Sequence, residues 1–256
     1  MKGLSFLIAL FLSSLINAEI THFERGVGLY EQRGKDAVGL RANNDYIDQS
    51  IHQFLKAMKV PESELDAGVY LLKCYYYKGK FIAENDDEKK ENFNEGKFLG
   101  ERLIDRYPGS AAAHYWYLVN LGSWSEIYGI LSAAKEGVAN TMRKLSNKII
   151  DIDKNYSDGG GYFMLGAVHF KSPYIPFLLS WPSDEEALKY LSLAYDTGAS
   201  TPNQTVYLSR VLYKNGQKQK AISLLSSLVE QEISETNKLE DIEQHNIAKE
   251  QLKEWE

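Results

Sequence analysis

The stretch TVYLSRVLYKNGQKQKAISLLSSLVEQEI, residues 205–233, decides the fold of this chain. Small and apolar residues recur at helical spacing in both of its halves: Leu208, Ser209, Leu212, Ala221 and Leu225. Between the halves stands Gly216, a residue type that readily takes the left-handed backbone at a helix end. The segment therefore predicts two short amphipathic helices joined by a tight turn.

The same positions are those that a tetratricopeptide unit fills with small and apolar residues in its two helices. One such helix pair cannot cover its own apolar face, so the chain must supply neighbouring pairs. Positions equivalent to the end of the second helix recur along the chain: Pro61, Pro108, Lys154, Ala199 and Ile233. The first three spacings are about 45 to 47 residues, and the last equals the standard 34. Because strand-like alternation is nearly absent, we predict an all-α, TPR-like α-hairpin repeat superhelix.

One repeat carries an insertion, KSPYIPFLLSWPSD, at residues 171–184. Its three prolines, Pro173, Pro176 and Pro182, prevent a continuous helix. Its other residues are too apolar for a loop that is fully solvated. The insert could fold back on its own helix pair, line or close a cavity, or offer a hydrophobic patch to a partner.

The two ends of the chain differ from the repeats. Residues 1–18 have the layout of a secretory signal, with Lys2 before an apolar run from Leu4 to Ile16. This run is too short for a stable membrane span, so we expect an exported protein that is periplasmic or secreted and soluble once the signal is removed. Residues 19–43 predict a loosely ordered lead-in or a short irregular helix, and residues 44–256 predict the repeat domain. Its final helix, predicted from Glu235 to Trp255, should cap the stack with a polar outer face.

Aromatic residues on the first helices of the repeats are the best candidates for a binding surface. Trp116, Asn120 and Trp124 follow one another at four-residue steps, and first helices usually line the concave side of such superhelices. Further candidates for contact with a partner or ligand lie in corresponding helices and in the insert: Tyr76, Tyr162, His169, Phe170, Phe177 and Trp181. These residues could form an aromatic platform or channel wall, or they could fill the core.

Signals for catalysis are missing from the sequence. It contains no H-E-x-x-H, G-x-S-x-G or phosphate-loop motif and no Cys/His cluster with metal spacing. We therefore expect no enzyme activity, no cofactor and no metal site. The net charge of −6 argues against nucleic acid as a partner. The only cysteine, Cys74, lies among apolar residues and is expected to be an inert core residue.

The C-terminal half, from about Asn155 to Val229, resembles the T components associated with periplasmic TRAP transporters. The residues that carry the resemblance are GGGYFMLGAVHF, the proline-containing insert, EEALKYLSLAYDTG and YLSRVLYKNGQKQKAISLL. The resemblance implies a helical assembly with a hydrophobic pore or groove that works with a solute-binding subunit.

Three functions follow from these observations as alternatives. The first is an exported, non-enzymatic repeat protein that binds a protein partner, such as a periplasmic solute-binding protein, together with an apolar small ligand. The second is a general cell-envelope scaffold whose concave surface binds a peptide or helix of another protein. The third is an enzyme with an unrecognised site, which a buried acid or histidine facing the groove would support.

Overall fold

The computed structural model describes residues 20–175, 177 and 179–255, so the predicted signal segment lies outside the described residues. The described part contains twelve α-helices, and a short 3₁₀ turn at Pro61–Ser63 precedes the third. Their bounds are α1 His22–Glu31, α2 Asn44–Ala57, α3 Glu64–Phe81, α4 Asp86–Arg106, α5 Ala111–Tyr128, α6 Ile130–Lys135, α7 Val138–Asp153, α8 Tyr156–Lys171, α9 Asp184–Thr197, α10 Pro202–Lys214, α11 Lys218–Val229 and α12 Lys238–Trp255.

Apart from the short helix α6, which lies between α5 and α7, the helices form five pairs followed by a final helix. The pairs are α1/α2, α3/α4, α5/α7, α8/α9 and α10/α11, and each second helix packs against the first helix of the next pair. Within the described residues there is no strand, only isolated bridges at Val38–Arg41 and Ile175–Leu179. The predicted closing positions fall just after α2, α4, α7, α9 and α11. The prediction of an all-α, TPR-like repeat fold is therefore confirmed.

Local sequence signals explain where several helices begin. The Thr201 hydroxyl oxygen accepts a hydrogen bond from the Gln204 backbone N–H, and the Gln204 side-chain oxygen accepts one from the Thr201 backbone N–H. Pro202 occupies the first turn. Ser110 and Ser183 cap α5 and α9 in the same way through their hydroxyl oxygens. These caps satisfy N–H groups that have no partner inside the helix, and so they fix the starts of the repeat helices.

The helix that the pattern predicts from Glu126 to Asp153 is broken in the structure. Gly129 (φ 83°) and Gly137 (φ 65°) both have a positive φ, and the short helix α6 lies between them. An α-helix cannot continue through such residues, because they turn the chain away from its axis. The extra turn explains part of the length that this repeat has beyond the standard unit.

Within the predicted lead-in, residues 22–31 form the regular helix α1 rather than an irregular segment. Thr21 and Glu24 make a capping box at its start. Gly26 lets α1 approach α2 so closely that a Cβ there would lie 2.6 Å from the Phe54 ring. The Ser50 hydroxyl donates to the Gly26 carbonyl oxygen at 2.8 Å. The segment is thus the first helix of the first repeat rather than a linker.

The last helix closes the superhelix as well as capping it. Near its start, Leu239 is fully buried in the core cluster of the N-terminal repeats. Towards its end, Ala248 packs with residues of α10 and α11, and the Trp255 ring stacks on Tyr213 at 4.1 Å between centroids. Helix α12 therefore connects the two ends of the stack. No helix among residues 20–255 with a described placement is both long and apolar enough to cross a membrane.

Candidate functional site

A large groove of about 860 Å³ lies on the concave side of the superhelix. Its walls come from the first helices of all five pairs, from α6 and the start of α7, from the insert and from α12. Among the residues that line it, none belongs to α2, α4, α9 or α11. With α7 as the exception, first helices therefore face inward and second helices outward, which is the geometry that makes repeat superhelices binding surfaces. We refer to this cavity as the concave groove.

One wall of the concave groove is aromatic. Tyr70 and Tyr76 of α3 and Tyr115 and Trp116 of α5 all line it. The Trp116 ring lies 6.2 Å from Tyr76 and 5.6 Å from Tyr115, the latter in an edge-on arrangement. Lys73 reaches across the same wall, with its ammonium nitrogen 4.3 Å from the Tyr70 ring centroid and 5.4 Å from that of Trp116. Such a surface can accept apolar, aromatic and anionic groups together.

The other charged residues of the groove are mostly neutralised by partners. Three ion pairs contribute to its walls: Arg33–Glu240 at 2.9 Å, Lys80–Glu243 at 2.9 Å and Lys171–Glu126 at 3.2 Å. Lys73 and Arg210 have no acidic group of the described residues within ion-pair distance, but Arg210 donates to Gln251 Oε1 at 2.9 Å. Burial lowers the pKa of Lys73, and the nearby Arg33 lowers it further. Lys73 is thus a partly desolvated cation on the groove wall.

We expect the substitution Lys73→Met to raise the stability of the chain. Methionine keeps the apolar stem in contact with the aromatic wall and removes a charge whose desolvation is offset only in part, by its contacts with the Tyr70 and Trp116 rings. The gain should be on the order of 1 kcal/mol, or a few degrees in melting temperature. Lys78→Met on the same helix is the matched control, since Lys78 pairs with Asp48 outside the groove. A loss of stability in Lys73→Met would show that Lys73 has a stabilising partner.

The floor of the groove is apolar. It is formed by α5, α7 and α8 through Leu118, Val119, Met142, Phe163 and Met164. The insert adds Ile175 and Leu179, so part of it lines this cavity. Of the alternatives for the insert, the structure thus supports a role as a cavity wall.

The nine side chains predicted for the binding surface do not share one site. Tyr76 and Trp116 line the concave groove, whereas Asn120 and Trp124 are buried between α5 and the helices α3 and α4. A four-residue step advances about 40° around a helix, so Trp124 lies about 80° from Trp116. Of the three residues at four-residue steps, only Trp116 therefore lies in the groove.

Asn120 has a packing role in this structure. Its amide nitrogen donates to the backbone oxygens of Leu72 at 3.0 Å and Trp116 at 2.9 Å. Gly96 of α4 lies directly against its side chain, and no described group donates to its Oδ1. Asn120 thus joins α3, α4 and α5 rather than facing a ligand.

Three further predicted residues also lie outside the groove lining. Tyr162 is partly buried against the central core cluster. The Phe170 ring lies 6.4 Å from the ring of Tyr207, which does line the groove. Phe177 is fully exposed at the tip of the insert, with a left-handed φ of 64°. A binding role for these residues stays a prediction.

His169 and Trp181 lie together in a second and smaller cavity of about 350 Å³. This cavity is formed by α7, α8, α9 and the end of the insert, and none of its lining residues lines the concave groove. The His169 and Trp181 rings meet edge to face at 4.9 Å between centroids. The insert therefore contributes to both cavities.

The sequence pattern missed most of the groove. Among the residues it overlooked are six from α3, α10 and α12: Tyr70, Lys73, Tyr207, Arg210, Glu240 and Glu243. A usable signal existed for Lys73, since a lysine within the apolar run LLKCYYY of a helix is unusual. None existed for α12, whose position depends on long-range packing.

The described residues hold no group of three or more histidine, cysteine or acidic side chains arranged for a metal ion. Cys74 is buried, and burial raises the pKa of its thiol to about 12. Such a thiol is protonated at neutral pH and is not a nucleophile. Its surroundings agree with the prediction of an inert core residue.

The fold and its groove define a TPR-like helical-repeat protein. Residues 37–172, more than half of the chain, match the family described as "Regulator of microtubule dynamics protein 1-3", and the chain belongs to this family. Among solved structures, the chain is similar to TTC0263, a thermophilic TPR protein of Thermus thermophilus, with 15% identity and a TM-score of 0.57. The similarity covers 89% of this chain and 96% of that one, and it supports the fold. No curated protein matches the chain.

The resemblance to TRAP transporter T components is therefore wrong. The family match assigns the chain to a different family. It overlaps the residues that carried the resemblance only between 155 and 172. Those residues were mostly amphipathic helix pairs, whose pattern any α-hairpin repeat produces. Nothing in the family match points to a solute-binding subunit as the partner.

Proposed function

We propose that this chain is a non-enzymatic interaction scaffold that holds a segment of a partner protein in its concave groove. The observation that supports this function is the groove itself, which is continuous along the first helices and has an aromatic wall and an apolar floor. Side chains of this kind supply most of the free energy in protein interfaces. The general scaffold, rather than a transporter component, is thus the favoured function.

Lys73 indicates which kind of partner segment the groove would bind. A partly desolvated cation without an acidic partner on a groove wall is typical of a residue kept for binding, because proteins often give up stability where activity needs such a group. A partner segment that bears an acidic group beside an apolar one would fit Lys73 and the ring of Trp116 at once.

The family description suggests which partner to test first. It refers to microtubule dynamics, so we propose tubulin or a protein bound to microtubules as the partner class. The net charge of −6 favours a partner segment that enters the groove over broad electrostatic attachment to an acidic surface.

Site-specific photo-crosslinking tests the groove as the binding surface. The photoreactive residue benzoylphenylalanine replaces Trp116 in the groove, or Phe98 of α4, which is 56% exposed and does not line the groove. With purified tubulin, and separately with microtubules carrying their bound proteins, we expect adducts from position 116 only. Lys73→Met should reduce their yield, and Lys78→Met should leave it unchanged. Equal adduct yields from both positions, or adducts from position 98 alone, would show that the groove is not the binding surface.

An apolar small molecule is a second candidate occupant, favoured by the floor that Leu118, Met142, Phe163 and Met164 form. The groove volume lies within the range of ordinary small-molecule sites. Native mass spectrometry of the purified chain should then show a bound species that is lost when Met164 is replaced by glutamate in a variant that stays folded.

Export of the chain is a further proposal, and it rests on residues 1–18 alone. If those residues act as a signal, the intact mass of the chain recovered from its host should lack about eighteen N-terminal residues. Recovery of the full-length mass only, under conditions that permit export, would contradict it.

A further inference from the structure

The second cavity, which we call the α7–α9 pocket, is lined mainly by polar and aromatic side chains, five of which carry an N–H or O–H donor. Its lining residues are Arg143, Asn147, Leu165, His169, Trp181, Glu186 and Tyr190. They come from three helices and the insert, so their arrangement depends on the complete repeat. The pocket is independent of the groove used in the proposed function.

His169 presents a hydrogen-bond donor without a partner. The residue is only 8% exposed, and the Ser183 backbone N–H donates to its Nδ1 at 3.3 Å. Since Nδ1 accepts, the proton of the neutral imidazole is on Nε2. No described group accepts from that nitrogen. Burial lowers the pKa of His169, with Arg143 and Lys189 acting in the same direction and Glu186 opposing them, which favours this neutral form.

Arg143 supplies the positive charge of the pocket. Its guanidinium carbon lies 4.8 Å from the ring centroid of Trp181, and that ring is fixed by a 2.8 Å hydrogen bond from its Nε1 to Asn140 Oδ1. No acidic group in the described part of the chain forms an ion pair with Arg143. Glu186 is the only acid that lines the pocket, and Lys189 binds it at 3.2 Å. The lining therefore leaves one cation without a counter-ion.

We propose that the α7–α9 pocket binds a small oxyanion, the carboxylate or phosphate group of a ligand, between the Arg143 guanidinium and the Nε2–H of His169. A guanidinium offers paired donors that match both groups, and charge-assisted hydrogen bonds are the strong ones. Asn147 and Tyr190 supply further donors at the rim. At about 350 Å³ the pocket holds the anionic group with a few attached atoms.

A titration of the ¹⁵N-labelled full chain tests the proposal. Inorganic phosphate, and in a separate series acetate, is added at constant ionic strength with sodium chloride as the balancing salt. We expect saturable shifts in the His169 imidazole and Trp181 indole signals. Arg143→Gln should weaken binding at least about tenfold, because it removes the charge-assisted donors. Lys144→Gln, which removes an exposed charge from the next position on α7, should leave binding unchanged.

The two series also identify the anion. Saturation by phosphate alone indicates a phosphate ligand, saturation by acetate alone a carboxylate ligand, and saturation by both supports the shared chemistry. Shifts that grow without saturation, or equal weakening in Arg143→Gln and Lys144→Gln, would overturn the proposal. A melting curve checks that Arg143→Gln is folded. If it is not, Arg143→Lys keeps the charge without the paired donors and should still bind more weakly than the original chain.

Discussion

The substitution Trp124→Ala should cost about 3 to 5 kcal/mol of stability, the range for removing a large aromatic side chain from a core. Trp124 is 6% exposed and its ring stacks on Tyr128 at 4.4 Å between centroids. Its indole Nε1 donates to Asn94 Oδ1 at 2.8 Å. The truncation therefore removes packing between α4 and α5 and leaves the Asn94 amide without one of its partners. Urea unfolding followed by circular dichroism measures the loss.

Trp116→Ala is the matched control, since it removes the same side chain from the same helix. Trp116 lines the concave groove and is only partly buried, so water can replace part of its contacts. We expect less than half of the stability loss seen for Trp124→Ala, together with fewer contacts to a partner in the groove. A cost of under about 1 kcal/mol for Trp124→Ala would mean that its ring does not pack as described.

Most of the fold could be predicted from local signals in the sequence that mark where helices begin and end. Second-helix ends at Pro61 and Pro108 are marked by residues that cannot continue a helix, and caps such as Ser110 and Thr201 mark the starts. The break at Gly129 and Gly137 could not be predicted in the same way. An isolated glycine is tolerated inside many helices, and only the packing of α5 against α7 shows that these two turn the chain.

The candidate site was predicted less well, for a geometric reason. Spacing along one helix shows which residues are neighbours, but the direction that the helix faces is set by the helices around it. Trp116 and Trp124 are both large aromatic residues of α5, yet one borders the groove and the other fills the contact with α4. His169 and Trp181, both predicted for the binding surface, lie together in a pocket that no single-helix pattern could reveal.

The contact of α12 with both ends of the stack was the hardest feature to predict from the sequence. It also leads to the second prediction with a large effect on stability. Arg33 lies in the turn after α1, its side chain is 3% exposed, and its guanidinium reaches Glu240 of α12 at 2.9 Å, 207 residues away along the chain. The same group donates to Asn237 Oδ1 and lies over the Tyr30 ring. Nothing near either residue in the sequence indicates this contact.

We expect Glu240→Ala to cost about 2 to 3 kcal/mol, because it leaves a buried guanidinium without its carboxylate. This loss is below the full cost of breaking a buried pair, since the Glu240 side chain is 26% exposed and water can solvate part of the site. Glu235→Ala, just before α12, removes an exposed acid without an ion pair in the described residues and should change stability by less than about 0.5 kcal/mol.

Hydrogen exchange separates closure from a purely local effect of Glu240→Ala. If α12 holds the two ends of the superhelix together, the variant should lose amide protection in both α1 and α12, because each end depends on the other. Protection lost in α12 alone would show that the helix is only a C-terminal cap. Since α12 also borders the concave groove, the loss at both ends should be accompanied by a change in the yield of crosslinks from position 116.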